Sequence, residues 1–245
     1  MKTIILFGIC IFQFFISYGQ NALELVNPFV GTGGHGHTHP AASAPFGMVQ
    51  LGPDTRLDGW DGCSGYHYTD TAIYGFSHTH LSGTGVADYN DVLFRPITDY
   101  RDAIPNKPIA FKKSDEKATA GYYSTVLTNG VLCEFTATPR TGIHRYTFPD
   151  SVPAYIFVDL GHRDKTLSAN FTGEGPINFN GHRFSKSWAA KQKLFFSGIS
   201  NQPYTLVETG EPDTWIMDFG QLKEPLEIYV ALSSTGTSGA TANLK

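Results

Sequence analysis

The sequence predicts an all-β protein, an antiparallel β-sandwich preceded by a loop region rich in Gly and His. The 245 residues include 26 Gly and 14 Pro, which favour turns, and 18 Phe and 12 Tyr, which favour strands. After about residue 110, short apolar or alternating segments are separated by turn residues at the spacing expected of a sandwich. Past the first twenty residues, no segment has the pattern of a helix of three turns.

The first segment of the chain, residues 1–19, has the features of a signal peptide. Lys2 gives it a positive start, residues 4–16 form an apolar run, and Ser17 and Gly19 are the small residues that favour cleavage. The run is shorter than the roughly 20 residues that a membrane span requires, and no later stretch approaches that length. The chain is therefore predicted to be exported to the periplasm, the extracellular space or the cell surface, without a membrane span.

Charge and cysteine content limit the function further. Lys and Arg number 18 against 22 Asp and Glu, a formal net charge of -4 that argues against nucleic acid as a partner. Once the signal segment is removed, Cys63 and Cys133 remain. An oxidising compartment permits a disulfide between them, but two separate buried thiols suit a large domain with its own core equally well.

Two Asn-Gly pairs predict β-hairpins, because this dipeptide favours the tight turns that join antiparallel strands. Asn129-Gly130 lies between strands predicted over residues 121–128 and 131–140. In the second of these strands apolar residues alternate with Glu and Thr, as expected when one face is buried. Asn180-Gly181 predicts a second hairpin turn between the short segments on either side of it.

Two further strands and a carboxy-terminal linker complete the predicted domain. Residues 154–160 are nearly continuously apolar, which predicts a central strand buried on both faces. In residues 226–232, Leu, Ile, Val and Leu alternate with Glu, Tyr and Ala, which predicts the last strand. The sandwich is therefore expected to cover residues 20–232. Residues 233–245 are small and polar and are predicted to be a linker.

The loop region carries most of the histidines. Gly31 to Gly36 matches a dinucleotide-binding pattern, but prolines follow instead of the required helix, so a loop that packs closely against another surface is the better interpretation. Residues 35, 37 and 39 are His, as are residues 78 and 80, and such alternation can place imidazoles on one side of a strand. A metal site is one hypothesis, and hydrogen bonding to sugar hydroxyls suits the same residues better.

Residues 56–68 are a Gly-punctuated loop dense in aromatic and polar side chains, which is typical of a binding surface. The alternative is that Trp60 and Tyr66 belong to the core and that Arg56 and Asp58 form a surface ion pair. A glycosidase needs two carboxyl groups at a defined separation. Sequence spacing alone pairs none of the candidates, which are Asp54, Asp61, Asp88 and Asp91, and no nucleophile-elbow serine motif occurs.

Several long blocks of the sequence, in the same order, resemble the amino-terminal domain of glycoside hydrolase family 92. The blocks are residues 27–39 (NPFVGTGGHGHTH), 44–56 (APFGMVQLGPDTR), 59–68 (GWDGCSGYHY), 75–85 (GFSHTHLSGTG), 142–149 (GIHRYTFP) and 159–162 (DLGH). The resemblance spans essentially the whole chain after the signal segment. It implies a β-sandwich of the galactose-mutarotase-like, or supersandwich, type.

The resemblance also implies a function. Family 92 enzymes are exported, calcium-dependent, inverting exo-α-mannosidases whose active site lies between this sandwich and a carboxy-terminal (α/α)6-barrel. The general acid, the base and most of the Ca2+ ligands belong to the barrel, so no catalytic residue is expected in this chain. The sandwich is expected to contribute part of a pocket for mannose-containing glycans, through Arg56, Trp60, Asp61, His78 and His80.

These implications make the chain a fragment or truncated product, inactive without the barrel domain, and residues 233–245 a lead-in to that domain. An apolar surface near Gly31–His39 and Trp60 is expected, because a partner domain would cover it. Two other functions stay open from the sequence. One is a stand-alone carbohydrate-binding module of the periplasm, and the other is metal storage by the histidines.

Overall fold

The structure, a computed structural model, describes residues 22–244, and the predicted signal peptide lies outside them. The described part contains strands joined by turns, four 3₁₀ helices (Ala22–Leu25, Trp60–Gly62, Tyr100–Asp102, Lys113–Asp115) and one α-helix, α1 (Thr237–Asn243). The strands are β1 (Ala42–Ser43), β2 (Gln50–Asp54), β3 (Ala72–Ile73), β4 (Gly75–Ser77), β5 (Leu93–Ile97), β6 (Ile109–Ala110), β7 (Lys117–Thr119), β8 (Tyr122–Val126), β9 (Leu132–Ala137), β10 (Thr141–Thr147), β11 (Pro153–Asp159), β12 (Lys165–Glu174), β13 (Asn178–Lys186), β14 (Gln192–Ser200), β15 (Thr205–Glu208), β16 (Thr214–Gln221) and β17 (Leu226–Ser233).

Two large antiparallel sheets form the domain. The first has the strand order β1-β2-β4-β5-β11-β16-β15, and the second has the order β12-β13-β14-β17-β10-β9-β8-β7. A separate pair, β3 and β6, lies beside them. This arrangement confirms the predicted antiparallel β-sandwich.

The core lies between the two sheets and is mainly aromatic. Phe76 and Phe94 of the first sheet face Phe135 and Phe179 of the second, with ring centroids 4.4 Å apart for Phe76–Phe135 and 6.1 Å apart for Phe94–Phe179. All four side chains are buried. Burial of each such ring contributes about 1.5–3 kcal/mol, so the inter-sheet contacts are a principal source of stability.

Strand β11 is buried on both faces, which confirms the prediction for residues 154–160. One face contributes to the inter-sheet core. The other is covered by the segment after β5 and by the buried Arg95 of β5 itself, whose guanidinium packs over the Phe157 ring at 4.5 Å. Arg95 donates hydrogen bonds to the carbonyl oxygens of Asp102 (2.9 Å) and Ile104 (2.7 Å) and so fastens that segment to the sheet.

The structure confirms one predicted hairpin and corrects the other. Asn129-Gly130 joins β8 to β9, and Gly130 has the positive φ (86°) that the turn requires. Asn180-Gly181 lies inside β13, so the predicted turn there is wrong. A Cβ on Gly181 would lie 2.0 Å from the Asn170 carbonyl oxygen and 2.4 Å from the Phe196 ring, so close packing explains this glycine. The actual turn is at Gly175, where φ is 76°.

The segment after β17 differs from an extended linker, because most of it forms α1. This helix packs on β14 and β17 through polar contacts. Thr241 and Ser197 share a hydrogen bond of 2.8 Å, and the Asn243 amide donates to the Leu232 carbonyl oxygen at 2.8 Å. The small residues that suggested a linker allow the helix to lie close to the sheet.

Both cysteines of the described chain are free, buried thiols, so the structure supports the second of the two predicted alternatives. Cys133 lies in the inter-sheet core, whereas the Cys63 thiol donates to the Thr84 carbonyl oxygen at 2.6 Å in the loop region. Within residues 22–244, no helix is long and apolar enough to cross a membrane.

Candidate functional site

Four residues form a polar and aromatic patch on the loops that precede β1 and follow β2. We call it the Trp60 face and define it by His35, His37, Trp60 and Asp61. The Trp60 side chain is 57% exposed, and its ring contacts that of His37 edge to face, with centroids 4.3 Å apart. Asp61 Oδ1 lies 2.6 Å from His35 Nδ1 and 3.4 Å from His37 Nε2. The structure thus brings the predicted contacts Trp60 and Asp61 together.

The chemistry of the Trp60 face suits a polyhydroxylated ligand. The hydrogen bond from His35 lowers the pKa of the Asp61 carboxyl, so this group is a carboxylate at neutral pH. A partly exposed carboxylate can accept hydrogen bonds from hydroxyl groups, and the indole offers a flat apolar surface beside it. One carboxylate already bonded to histidine does not by itself make the acid–base pair of a glycosidase.

Glycines allow the loops of the Trp60 face to approach one another closely. A Cβ on Gly36 would lie 2.0 Å from the Gly31 carbonyl oxygen, and a Cβ on Gly85 would lie 2.2 Å from Trp60 Nε1. The Gly31 backbone leaves no room for a side chain at position 36, and a side chain at position 85 would displace the Trp60 indole. The Gly-rich motif therefore serves close packing, within its own loop, and β1 rather than a helix follows it.

A third segment, residues 81–89, closes against the same loops. The backbone N–H of Gly83 donates to the His37 carbonyl oxygen at 2.8 Å. The Cys63 thiol bonds to the carbonyl oxygen of Thr84 in this segment, as described above. The loop that carries His37 and the loop that carries Trp60 are therefore both bonded to residues 81–89.

Behind the Trp60 face lies a buried cluster centred on Asp54. Its Oδ1 accepts hydrogen bonds from Asn90 Nδ2 (2.6 Å) and Ser77 Oγ (3.0 Å) and lies 2.7 Å from His80 Nε2. Its Oδ2 lies 2.9 Å from His162 Nε2. Burial alone would raise the pKa of Asp54, but the charge of His80 and the hydrogen bonds of His162 and His80 hold it well below its usual range.

A chain of hydrogen bonds connects this cluster to the Trp60 face. Asn90 Oδ1 accepts from Arg163 Nη1 at 2.9 Å, and Arg163 Nη2 donates to the Gly62 carbonyl oxygen at 2.7 Å. Gly62 ends the 3₁₀ helix that begins at Trp60. The buried carboxylate of Asp54 is thus linked through two side chains to the backbone that carries Trp60 and Asp61.

Arg56, a predicted sugar contact, is committed to another carboxylate in this structure. Its Nε donates to Asp70 Oδ2 at 3.1 Å, and its Nη2 bonds to Asp70 Oδ1. A Cβ on Gly62 would lie 2.8 Å from Arg56 Cγ, so the arginine stem supports the loop that carries Trp60. The guanidinium keeps partial exposure, with 31% of the side chain accessible.

His78 and His80 are buried rather than facing the surface, which corrects the placement assumed for them. His78 is fully buried, its Nδ1 lies 2.6 Å from the Val92 carbonyl oxygen, and its Nε2 lies 2.8 Å from His144 Nε2. His80 is held by Asp54 and by the Gln50 carbonyl oxygen, 2.8 Å from its Nδ1. Neither ring reaches a surface where this chain alone could contact a sugar, because each serves the interior.

The four Asp side chains considered for catalysis differ in their solvent exposure. Asp54 is enclosed by its cluster, and Asp91 is bonded to Arg183, to Thr79 (2.8 Å) and to Gln192 (2.7 Å). Asp88 is also buried, so among the four predicted candidates only Asp61 keeps a substantially accessible side chain, at 31%. In residues 22–244, no group of three or more His, Cys, Asp or Glu side chains is arranged to hold a metal ion.

Sequence reasoning missed several members of the interior network. Asn90, Arg163, His144 and His162 had no role assigned to them, although the last two lie in the blocks GIHRYTFP and DLGH. Key partners are far away along the chain: Asn90 bonds Asp54 36 positions away, His144 bonds His78 66 positions away, and Arg163 bonds Asn90 73 positions away. Local spacing carries no signal for such pairs.

Fold and patch together define the class of protein: a two-sheet antiparallel β-sandwich domain with a polar and aromatic loop surface. The family profile described as the glycosyl hydrolase family 92 N-terminal domain matches residues 25–238. The chain therefore belongs to glycosyl hydrolase family 92, and the resemblance seen in the sequence is confirmed.

Three relatives illustrate the similarity. A family GH92 α-mannosidase from Bacteroides thetaiotaomicron, solved in complex with mannoimidazole, is 28% identical with a TM-score of 0.83, covering 92% of this chain and 34% of that one. A family GH92 inverting mannosidase from the same organism is 23% identical with a TM-score of 0.75, covering 91% and 33%, and at that identity the likeness concerns the fold alone. An uncharacterized secreted glycosidase from Arthroderma benhamiae is 31% identical over 158 residues, or 60% of this chain and 20% of that protein.

Proposed function

We propose that this chain is the amino-terminal domain of an exported, calcium-dependent, inverting exo-α-mannosidase, and that it supplies one wall of the sugar pocket. The observation that carries the proposal is the Trp60 face, an exposed aromatic ring beside a carboxylate, on a member of family 92. The chain spans about a third of the solved mannosidase and a fifth of the Arthroderma protein. A carboxy-terminal domain would therefore supply the general acid and base.

Each residue of the Trp60 face has a distinct part in this proposal. The Trp60 indole stacks on a sugar ring, and the Asp61 carboxylate accepts hydrogen bonds from its hydroxyls. The bond to His35 fixes the carboxylate, which reduces the freedom that it loses on binding. Arg56 and the chain Asp54–Asn90–Arg163–Gly62 hold the loop beneath.

A partner domain would also cover apolar surface near the Trp60 face. Val30 (72%), Tyr68 (48%) and Val86 (40%) are exposed, one on each of the three segments that form or contact the Trp60 face. Exposed large apolar side chains grouped in this way are typical of an interaction surface. Their position supports placing the carboxy-terminal domain over these loops.

Within residues 22–244, no cluster of acidic side chains is arranged to hold a calcium ion. Ca2+ takes six to eight oxygen ligands. The Asp54 carboxylate is instead surrounded by imidazole and amide groups that donate to it. The calcium ion of the proposed enzyme is therefore assigned mainly to ligands on the carboxy-terminal domain.

Export rests on the signal peptide predicted over residues 1–19, and the secreted glycosidase from Arthroderma is consistent with it. Free thiols at Cys63 and Cys133 are compatible with an oxidising compartment because both are buried. Mature protein recovered outside the cytoplasm and beginning near Gln20 would support this part of the proposal.

The experiment that tests the function is a domain replacement. Residues 20–245 replace the matching part of the Bacteroides α-mannosidase, and turnover of an aryl α-mannoside is measured for the chimaera. We expect activity in the chimaera, and an increase in KM of about tenfold for Trp60→Ala, because a stacked ring is lost. Leu167→Ala, an exposed apolar residue of β12, is the control and should leave turnover unchanged. A folded chimaera in which Trp60→Ala changes nothing would remove the sugar-contact role.

A stand-alone binding module makes a different prediction for the isolated chain. Calorimetry with mannose and mannobiose should give weak or no binding if the Trp60 face is half of a pocket. Dissociation constants in the micromolar range for the isolated chain would favour the binding module instead.

A further inference from the structure

A second exposed tryptophan lies at the tip of the β13–β14 hairpin. Trp188 is 64% exposed, although it is among the largest apolar side chains in the chain. Together with Leu81, Asp88, Tyr89 and Ala189 it lines a cavity of about 290 Å³. That volume is in the range of a small binding site and accommodates one sugar ring.

The hairpin tip is fixed in place by hydrogen bonds to the segment 81–89. Ser187 Oγ donates to the Ala87 carbonyl oxygen at 2.7 Å, and the Ala189 N–H donates to Asp88 Oδ2 at 3.2 Å. Both residues that flank Trp188 are therefore anchored. The backbone that carries the Trp188 ring is therefore ordered before a ligand binds, which reduces the conformational entropy lost on binding.

One carboxyl group, that of Asp88, lines the cavity, and a second, that of Asp164, lies behind Tyr89. The Tyr89 N–H donates to Asp88 Oδ1 at 2.9 Å and to Asp164 Oδ2 at 3.2 Å. Burial, reinforced by the neighbouring Asp88, raises the pKa of the Asp164 carboxyl to about 7. Tyr89 and Asp164 both have positive φ, 74° and 63°, which is unfavourable for side chains other than glycine and is often found at functional sites.

Trp188 and Trp60 flank one segment of the chain. Trp60 Nε1 lies where a Cβ of Gly85 would be, and Trp188 shares its cavity with Asp88 and Tyr89 a few residues further on. Two exposed indoles separated by one short, anchored segment form two successive platforms. A chain of sugar units presents the repeating apolar faces and hydroxyls that such platforms recognise.

We propose that Trp188, with Asp88 and Tyr89 beside it, forms a second sugar-binding subsite that contacts a further unit of the glycan bound at the Trp60 face. This inference rests on the proposed function, because it takes the ligand to be a mannose-containing oligosaccharide. The Trp188 ring stacks on a pyranose, and the polar groups of Asp88 and Tyr89 that line the cavity hydrogen-bond its hydroxyls. The subsite therefore favours oligosaccharides over the monosaccharide.

The three tryptophans of the chain make a direct test possible. The chain is labelled with 5-fluorotryptophan, and the three ¹⁹F resonances are assigned by Trp→Phe variants at positions 60, 188 and 215. Trp215, half-buried and packed near Phe171 with centroids 5.9 Å apart, is the internal reference. Mannose, α-mannobiose and α-mannotriose are titrated to high millimolar concentration, with maltotriose as the control ligand.

We expect the mannose oligosaccharides to shift the Trp60 and Trp188 resonances, mannose to shift only that of Trp60, and maltotriose to shift neither. Trp188→Ala should weaken the oligosaccharide effect at Trp60 by about three- to tenfold and leave the mannose effect unchanged. If Trp60 responds and Trp188 does not, the subsite is refuted while the proposed function stands. If neither responds, the subsite is likewise refuted, and the chimaera decides the proposed function separately.

Discussion

Replacement of His144 by Phe tests the hydrogen-bonded histidine pair that crosses the core. His78 follows β4 of the first sheet, and His144 lies in β10 of the second, so their contact joins the two sheets. His78 Nδ1 donates to the Val92 carbonyl oxygen, which leaves Nε2 as an acceptor for His144 Nε2–H. His144 Nδ1 then accepts from the Tyr146 hydroxyl at 2.8 Å. When both imidazoles are neutral, every ring nitrogen of the two histidines has a hydrogen-bond partner, and so has the Tyr146 hydroxyl.

The magnitude follows from the groups that His144→Phe leaves behind. The His78 Nε2 acceptor and the Tyr146 hydroxyl donor both lose a partner in a fully buried environment. Each such group costs about 1–3 kcal/mol, and the new phenyl ring regains part of this through contact with neighbouring Phe94 and Phe135. We expect the free energy of unfolding to fall by about 2–4 kcal/mol.

Urea unfolding measures this loss, and a double-mutant cycle with Tyr146→Phe is the control. The double variant removes the orphaned hydroxyl, so its loss should be smaller than the sum of the two single losses. Strict additivity, or a loss below about 1 kcal/mol for His144→Phe, would show that the pair is not bonded as described.

The same histidine pair makes the free energy of unfolding depend on pH. Burial lowers the pKa of His78 to about 4 and that of His144 well below its usual value. In the unfolded chain a histidine takes up a proton below about pH 6.5, so between that pH and the folded pKa the unfolded state binds more protons. Stability is therefore complete above about pH 6.5 and falls as the pH drops toward 4, by about 1.4 kcal/mol per pH unit for each histidine. His144→Phe should reduce the slope of the free energy of unfolding against pH by the contribution of one histidine. An unchanged slope would contradict this explanation.

Three further predictions concern other buried groups. Asp54→Asn should lower the free energy of unfolding at pH 7 by about 3 kcal/mol in urea titrations, because it breaks a buried ionic cluster. The difference from wild type should begin to shrink as the pH falls below about 3.9, the pKa of the unfolded carboxyl, and should keep shrinking toward the lowered pKa of the folded state. A difference under about 1 kcal/mol at pH 7 would contradict this prediction. Gly181→Ala should lower the melting temperature by several degrees, because the new methyl group meets the Asn170 carbonyl oxygen, and an unchanged melting temperature would disprove the packing role. Cys63 and Cys133 should resist a thiol reagent in native protein and react together in denaturant, whereas thiols found only after reduction would indicate a disulfide.

The sequence predicted those elements whose signal is local. Asn129-Gly130 makes a turn because its own backbone preferences specify it, and β11 was recognised because both of its faces are apolar. Asn180-Gly181 has the same local signal, but there the glycine is required by a carbonyl oxygen and a ring on neighbouring strands. Tertiary packing overrides turn preference at that position, and single-sequence patterns do not contain it.

In the candidate site, too, the features with a local sequence signal were predictable and those set by tertiary packing were not. Trp60 and Asp61 were singled out because aromatic and acidic residues in a Gly-rich loop favour a binding surface, and the structure brings them together. His78 was grouped with His80 by spacing, yet its partner His144 is 66 positions away in the other sheet. Which of the histidines lie inside depends on how the sheets pack, and only the folded chain determines it.

The most direct test of the central claim is the α-mannosidase activity of the isolated chain. Purified protein comprising residues 20–245 is incubated with an aryl α-mannoside and with α-mannobiose, with and without added Ca2+, and released mannose is measured. We predict no turnover above the buffer blank, because Asp61 is the only substantially exposed acid among the four candidates. Measurable turnover that disappears in Asp61→Asn would contradict the claim that a second domain supplies the catalytic groups.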